Sequence, residues 1–557
     1  MMVVAAFLLL LWIFLPKPSF WGIDNGVKFQ GAEAFATKGS LNIPYFGQDF
    51  DPDGVFRPLV RPFSILGPKG QVPVFSPLFL VLAGIFYKLL GRIGPSILPL
   101  LGGWMLLAAS WLMWIRHRRN RDGRLFLLMV GLGSPALFYS LTLWEYSIAM
   151  ALVTISLAYI SRGRTGLQEA PMWEPLAAGV LLAIATALRT EAVLWAPILL
   201  IFWSQTGRRS DAIWLFIGGL ALGLGVFGGL NHLLTGNFLP LHLLTNNFGE
   251  GIRRSIRAFA ITRAQNFYVV LIEGFKQNHY SVIGVLPLIA VVAWRRWRIE
   301  RGYWYGLAFG LILVWLAYLA VSLSAQNQAG YMYNNGGMMW VTPFIVLGLF
   351  KLHGERRRFW YLIWAGSLLY IAVVAFTAPF VRGVHWGPRL VIMAVPPLMM
   401  IGATRAQRWW HRSPSSRSII VLLAIMSIFN QFYSVHVLRE AKEQNVRLTR
   451  WAVSAGAEAA VTNLWWLPGD LALLSAKHPW YVIRSKDPTE MQRLIQGLRS
   501  QGVLKFSFYE LPPYLDDKSW WYYGTELREI DYMVGGAGGY KGLRRIWLRI
   551  IPVGGRR

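Results

Sequence analysis

Apolar runs of about 16 to 24 residues recur along most of this chain, and short arginine-rich connectors separate them. Each run is long enough to cross a hydrocarbon core of ~30 Å as a helix. The runs are continuous rather than alternating, so they read as helices and not as strands of a barrel. The 557 residues are 55% hydrophobic and only 15% charged, less charge than an ordinary soluble domain carries. The fold class expected is therefore a polytopic α-helical membrane protein.

The formal net charge is +28. Most of the excess is arginine in the connectors, where cytoplasmic loops concentrate it. Contact with anionic membrane lipids accounts for these residues, and nucleic acid is not an expected partner. The chain has no cysteine, which excludes disulfides, zinc thiolates and a cysteine nucleophile. The apolar run at 1–16 lacks a basic leader and a small-residue cleavage site, so it reads as a retained first helix.

The basic clusters set a topology. They lie at Arg116–Arg124, Arg162/Arg164, Arg208/Arg209, Arg295–Arg301, Lys351–Arg358 and Arg405–Arg417. With all six in the cytoplasm, each neighbouring pair must enclose two crossings. The expected spans are 1–16, 97–115, 125–144, 146–160, 175–188, 192–203, 212–230, 281–294, 303–324, 338–350, 359–379, 390–403 and 418–432, about thirteen in all. Residues 18–93 form a first extracytoplasmic loop, in which 74–90 reads as a surface helix with its apolar face in the interface. The N-terminus is then cytoplasmic, and the transmembrane part is 1–434.

Residues 435–557 are expected to form a small extracytoplasmic α/β domain. A helix at 438–457, strand-like runs in 459–474, a strand at 480–484, a helix at 488–499 and a strand at 503–509 alternate as such a domain requires. Gly535-Gly-Ala-Gly-Gly539 has no dinucleotide-binding spacing.

This topology collects Asp24, Glu145, Arg189, Glu191, Arg382, His385 and Arg389 at crossing junctions on the outer face. Ionisable groups at membrane spans are costly, and inert headgroup-level residues are the competing reading for each. Asp24, in Trp21-Gly-Ile-Asp-Asn-Gly-Val-Lys28, reads as a loop carboxylate in a turn. Glu145 sits between two apolar runs with no polar spacer, where a carboxylate is hard to leave unpaired. Arg189 can pair locally with Glu191. Gln48-Asp-Phe-Asp-Pro-Asp53 lacks the EF-hand spacing and reads as a solvated turn. The histidines at 232 and 242 show no paired metal-ligand spacing.

In order and sidedness these pieces resemble the GT-C superfamily of membrane glycosyltransferases. The likeness is to the protein mannosyltransferase and lipid A aminoarabinose transferase type and their bacterial relatives. The matching residues are Asp24 after the first helix, Phe75-Ser-Pro-Leu-Phe-Leu80 through Gly91, Ser134-Pro135, the acidic Glu145, the basic Arg189 and His385-Trp-Gly-Pro-Arg389. They span roughly residues 1–435. The chain has Asp24-Asn where Asp-Glu is usual, Ser-Pro-Leu for Pro-Pro-Leu, and Glu145 where Asp is commoner.

The resemblance implies a bacterial inner-membrane enzyme. It would move a hexosyl or pentosyl group, with inversion, from a polyprenyl-phosphate donor to a glycan, lipid or protein acceptor. Asp24 would take the acceptor's proton. Arg189 and Arg389, with Lys88 and Arg92 as further candidates, would hold the donor phosphate. Glu145 would orient the acceptor or hold a divalent metal ion. Glu191 and His385 would contact acceptor or donor. Three other readings remain open at this point: a transporter or lipid-linked glycan flippase, an O-antigen-ligase-like enzyme resting on His385 and Arg389, and a scaffold whose tail binds a partner.

Overall fold

A computed structural model describes residues 1–117, 122–160, 171–205, 210–246, 256–273, 336–352, 358–378, 385–454, 456–475, 478–484, 487–511, 525–533 and 543–550. Among these residues, five helices are long and apolar enough to cross a membrane, by length and composition. They are Pro77–His117, Asp211–Thr235, Phe359–Thr377, Arg389–Trp410 and Pro414–Val453. Shorter apolar helices occupy Met2–Phe14, Tyr146–Tyr159, Trp173–Leu188 and Thr190–Ile201. The expected spans at 281–294 and 303–324 lie outside the described residues.

Several expected spans are broken, and the breaks have local causes. The run at 125–144 is two short helices, Arg124–Gly131 and Ala136–Leu141, interrupted at Ser134-Pro135. A proline ring removes a backbone donor and crowds the preceding turn. The run at 338–350 is a four-residue helix, Met338–Val341, and a 3-10 turn, Pro343–Gly348, again split by a proline and buried throughout. The segment before Trp195 is likewise a 3-10 turn, Thr190–Leu194. Discontinuous backbone of this kind is tolerated at membrane depth only where protein or a polar cavity satisfies it.

The first loop is far more ordered than its turn-like sequence suggests. Helix α1 (Met2–Phe14) is followed by α2 (Ile23–Lys38), which carries Asp24 in its first turn and stops at Gly39 in the left-handed conformation. Acidic residues at a helix start and a glycine just past its end are both stabilising. Helix α3 (Pro77–Leu90) packs Phe79, Leu80, Ala83 and Gly84 inward and contacts α2. Its N-cap Ser76 accepts from Phe79 N and donates to Ala187 O at 2.7 Å, which fixes the loop to the end of the Trp173–Leu188 helix. A short 3-10 turn, Gly91–Ser96, leads into α4 (Ile97–His117), so the expected surface helix and the next span run on almost without a break.

The last helix, Pro414–Val453, is continuous over 40 residues. No Gly or Pro interrupts the segment between 432 and 438, so the two helices expected there are one, and the expected boundary at 435 falls inside it. Beyond it lies a five-stranded sheet of β3 (Ala459–Thr462), β4 (Trp480–Val482), β5 (Lys505–Glu510), β6 (Thr525–Tyr532) and β7 (Arg544–Ile550); β1 (Ser64–Gly67) and β2 (Gly70–Pro73) form a separate hairpin. The order is β4-β3-β5-β7-β6, with β4, β3 and β5 parallel and β7 antiparallel to both neighbours. One face buries Val461, Tyr481, Phe506 and Phe508 against the Pro488–Ser500 helix and against Tyr45 and Phe56 of the first loop. The first loop and the sheet therefore share a core.

Asp51 is part of that junction. Its carboxylate is fully buried, accepts from Tyr45 Oη at 2.5 Å and Phe56 N at 2.8 Å, and pairs with Arg493 at 3.3 Å. The Gln48–Asp53 segment is thus neither a metal loop nor a solvated turn at Asp51; it is an anchor between loop and sheet. A second anchor holds α2 itself. Gly26 lies so close to the Leu467–Asp470 turn that a Cβ there would fall 1.7 Å from Gly469 O. Gln30 Nε2 donates to Pro468 O at 3.3 Å and to Ser475 Oγ at 2.6 Å. The C-terminal part thereby sets the position of the helix that carries Asp24.

Candidate functional site

Helical spacing puts Asp24 and Lys28 on one face of α2, a single turn apart. Lys28 is 1% exposed, and its Nζ donates to Glu145 Oε2 at 2.6 Å. The rings of Phe75, Phe79 and Trp144 surround the ammonium at 4.8, 5.5 and 5.7 Å. Glu145, in the turn before the Tyr146–Ile160 helix, offers its other oxygen to Arg189 Nη1 at 3.2 Å. Arg189 Nε and Nη2 donate to Glu191 Oε1 at 2.9 and 2.8 Å. Arg389 Nη1 lies 3.5 Å from Asp24 Oδ2, a loose pair compared with the others. Three carboxylates and three cations thus run in a chain through one site, and their formal charges cancel.

Sequence reasoning brought forward Asp24, Glu145, Arg189, Glu191 and Arg389, and the fold gathers all five. It passed over Lys28, because Asp24-Asn-Gly reads as a turn and the i, i+4 relation holds only in a helix. Lys88 and Arg92 stay outside. Both are exposed, and Lys88 stands twelve residues along α3 from Ser76, about 18 Å at 1.5 Å per residue. Arg382 lies outside the described residues. His385 is buried beside the Arg389 turn, and its Nδ1 has no partner among the described residues. Tyr146, also missed, lies under Arg189 at 4.3 Å from ring centre to Cζ.

Burial lowers the Lys28 pKa, opposed by the charges of Glu145 and Asp24. Burial would raise that of Glu145, but Lys28 and Arg189 more than reverse this and hold the carboxyl below its usual range. Glu145 is therefore an anion locked between two cations. A divalent cation at Glu145 would meet an ammonium at 2.6 Å from one oxygen and a guanidinium at 3.2 Å from the other. No group of three His, Asp or Glu side chains suited to a metal ion occurs among the described residues.

His242, in the Leu241–Asn246 helix, places Nε2 3.0 Å from Thr190 Oγ1, next to Arg189. Burial and the Arg189 charge push its pKa down to about 4 from the ordinary 6.5. Between these values the unfolded chain binds more protons than the folded one, so stability falls as pH is lowered through that window. Wild type is expected to lose more stability than His242→Gln between pH 6.5 and 4 in thermal unfolding. Parallel curves for the two proteins would remove His242 from this role.

The discontinuous helices, the structured first loop and the C-terminal sheet together make a fold shared with a solved membrane-enzyme structure. In particular, the chain is similar to ArnT from Cupriavidus metallidurans bound to undecaprenyl phosphate. That likeness covers 100% of this chain and 99% of the other, with a TM-score of 0.53 and 11% identity. ArnT from the same organism in the apo state gives a TM-score of 0.48 at 13% identity over 98% and 97% of the two chains. The Archaeoglobus fulgidus oligosaccharyltransferase in the apo form gives 0.48 at 11% identity, over 91% of this chain and 69% of that one. No family model matches the chain, and no curated protein matches it by sequence.

Proposed function

We propose that the chain is a membrane glycosyltransferase that moves a sugar from a polyprenyl-phosphate donor to an acceptor at the extracytoplasmic face, with inversion. The observation that carries this reading is the loose Asp24–Arg389 pair beside a locked Lys28–Glu145–Arg189–Glu191 chain. The fold shared with ArnT agrees with it.

In this reading Arg389 turns from Asp24 to the donor phosphate and frees the carboxylate. Asp24 accepts the proton of the acceptor hydroxyl as that oxygen bonds to the anomeric carbon. The carbon–oxygen bond to phosphate breaks, and polyprenyl phosphate leaves with the electron pair. Arg389 and Arg189 face the charge that builds on the phosphate. Glu145 keeps Lys28 and Arg189 in place and touches no reacting atom.

The test is lipid binding by the purified protein in nanodiscs. Wild type should bind undecaprenyl phosphate more tightly than undecaprenol, which lacks the phosphate. Arg389→Ala should weaken phosphate binding about tenfold to a hundredfold, the worth of a charge-assisted hydrogen bond. Equal affinity of wild type for the two lipids would overturn the reading.

A further inference from the structure

Three polar atoms around this site are buried and have no partner among the described residues: Tyr146 Oη, His385 Nδ1 and Arg389 Nε. Tyr146 and His385 are each 1% exposed. Buried polar groups are normally paired, and each orphan costs about 1–3 kcal/mol unless something completes it. A lone orphan can be a packing defect. These three share one neighbourhood.

The geometry ties them together. Tyr146 lies under Arg189, and its ring centre is 4.7 Å from that of Tyr139. Tyr139 Oη donates to Trp386 O at 2.8 Å, in the turn between His385 and Arg389. That turn reverses at Gly387, whose φ is +68°, and Arg389 N donates to Gly387 O at 2.9 Å. Arg389 then reaches Asp24. The orphaned atoms therefore sit on the three residues packed around the Arg189 and Arg389 guanidiniums, beside the Asp24–Arg389 pair.

We propose that Tyr146, His385 and Arg389 Nε form the subsite for the transferred sugar, and that it takes a glycosyl group bearing hydroxyls in preference to one bearing an ammonium. The inference rests on the donor reading above. A hydroxyl can donate to an unprotonated imidazole nitrogen and accept from a phenol or a guanidinium N–H, which completes all three atoms. An ammonium cannot accept, so it would leave Arg389 Nε unpaired and facing a like charge. Burial, followed by the Arg389 and Arg189 charges, holds the His385 pKa well below the usual imidazole range, so the ring stays neutral there. A site built this way rejects wrong partners by leaving its own polar groups unsatisfied.

The experiment compares three lipids in nanodiscs at pH 7: undecaprenyl phosphate, its hexosyl derivative and the matching amino-deoxyhexosyl derivative. Wild type is expected to bind the hexosyl lipid at least about tenfold more tightly than the amino lipid. That preference should shrink when pH is raised until the amine is neutral. Tyr146→Phe and His385→Gln should each weaken the hexosyl lipid about fivefold to tenfold and leave undecaprenyl phosphate within twofold. Tyr146→Phe removes an atom with no partner, so its melting temperature should not fall. Equal binding of the hexosyl and amino lipids, or variants that weaken all three lipids alike, would overturn this proposal while the donor reading stands. Failure of wild type to bind undecaprenyl phosphate would overturn the donor reading instead.

Discussion

Asp24→Asn is expected to lower sugar transfer by about 10²- to 10⁴-fold, the usual worth of a positioned general base, while the protein still inserts and folds. Asn keeps the shape and one acceptor oxygen but cannot take a proton at neutral pH. Little stability should be lost. The Asp24 side chain is 23% exposed, and its pair with Arg389 is 3.5 Å long, a geometry worth ~0–1 kcal/mol. Removing a charge from the first turn of α2 costs a further ~0.3–1 kcal/mol. Binding of undecaprenyl phosphate should be kept or strengthened, because Arg389 loses its competitor. The measurement is single-turnover transfer beside lipid binding and melting temperature for the same preparation. Wild-type turnover by the variant would end the assignment of Asp24 as base.

Asp24, Glu145, Arg189 and Arg389 could be found from sequence because each is an ionisable residue at the end of an apolar run. Charge counting placed them on one side of a membrane. Lys28 and Tyr146 carried no such mark. Lys28 looks like a loop lysine until Gly22, Gly39 and Lys38 are taken as helix ends, which turns Asp24 and Lys28 into an i, i+4 pair. That helix is buried nearly all round and has no apolar stripe to announce it.

The breaks at Pro135 and Pro343 were legible as proline positions, but not as the place where spans become short paired helices. That outcome depends on neighbours. The contact between Gly26 and Gly469 joins residues 443 positions apart, and no local pattern reports it. In the C-terminal part the runs around 480, 488–499 and 503–509 were readable. Strands β6 and β7 were passed over, although Arg544-Arg-Ile-Trp-Leu-Arg-Ile550 alternates in part as a strand should.

Lys28→Met should be the most destabilising single change in the site. The Lys28–Glu145 pair is 2.6 Å long, and both side chains are 2% exposed. Removing one partner of a buried pair leaves the other charge uncompensated, at a cost of ~3–5 kcal/mol. Arg189 still reaches Glu145 at 3.2 Å, which places the expected loss at the lower end of that range. Glu145→Gln should be costly for the same reason, since it leaves the Lys28 ammonium among Phe75, Phe79 and Trp144. The double variant Lys28→Met/Glu145→Gln removes both charges, and a large part of the loss should return. Two residues that act as one unit give a coupling well beyond the ~0.3–0.5 kcal/mol scatter of independent sites. Lys88→Met supplies the contrast: it is an exposed lysine on the same loop and should change stability by no more than ~0.5 kcal/mol. Unfolding of the four variants in one detergent separates the alternatives. Additive losses from Lys28 and Glu145 would mean the two do not form a bridge. The locked half of the site would then lose its physical basis.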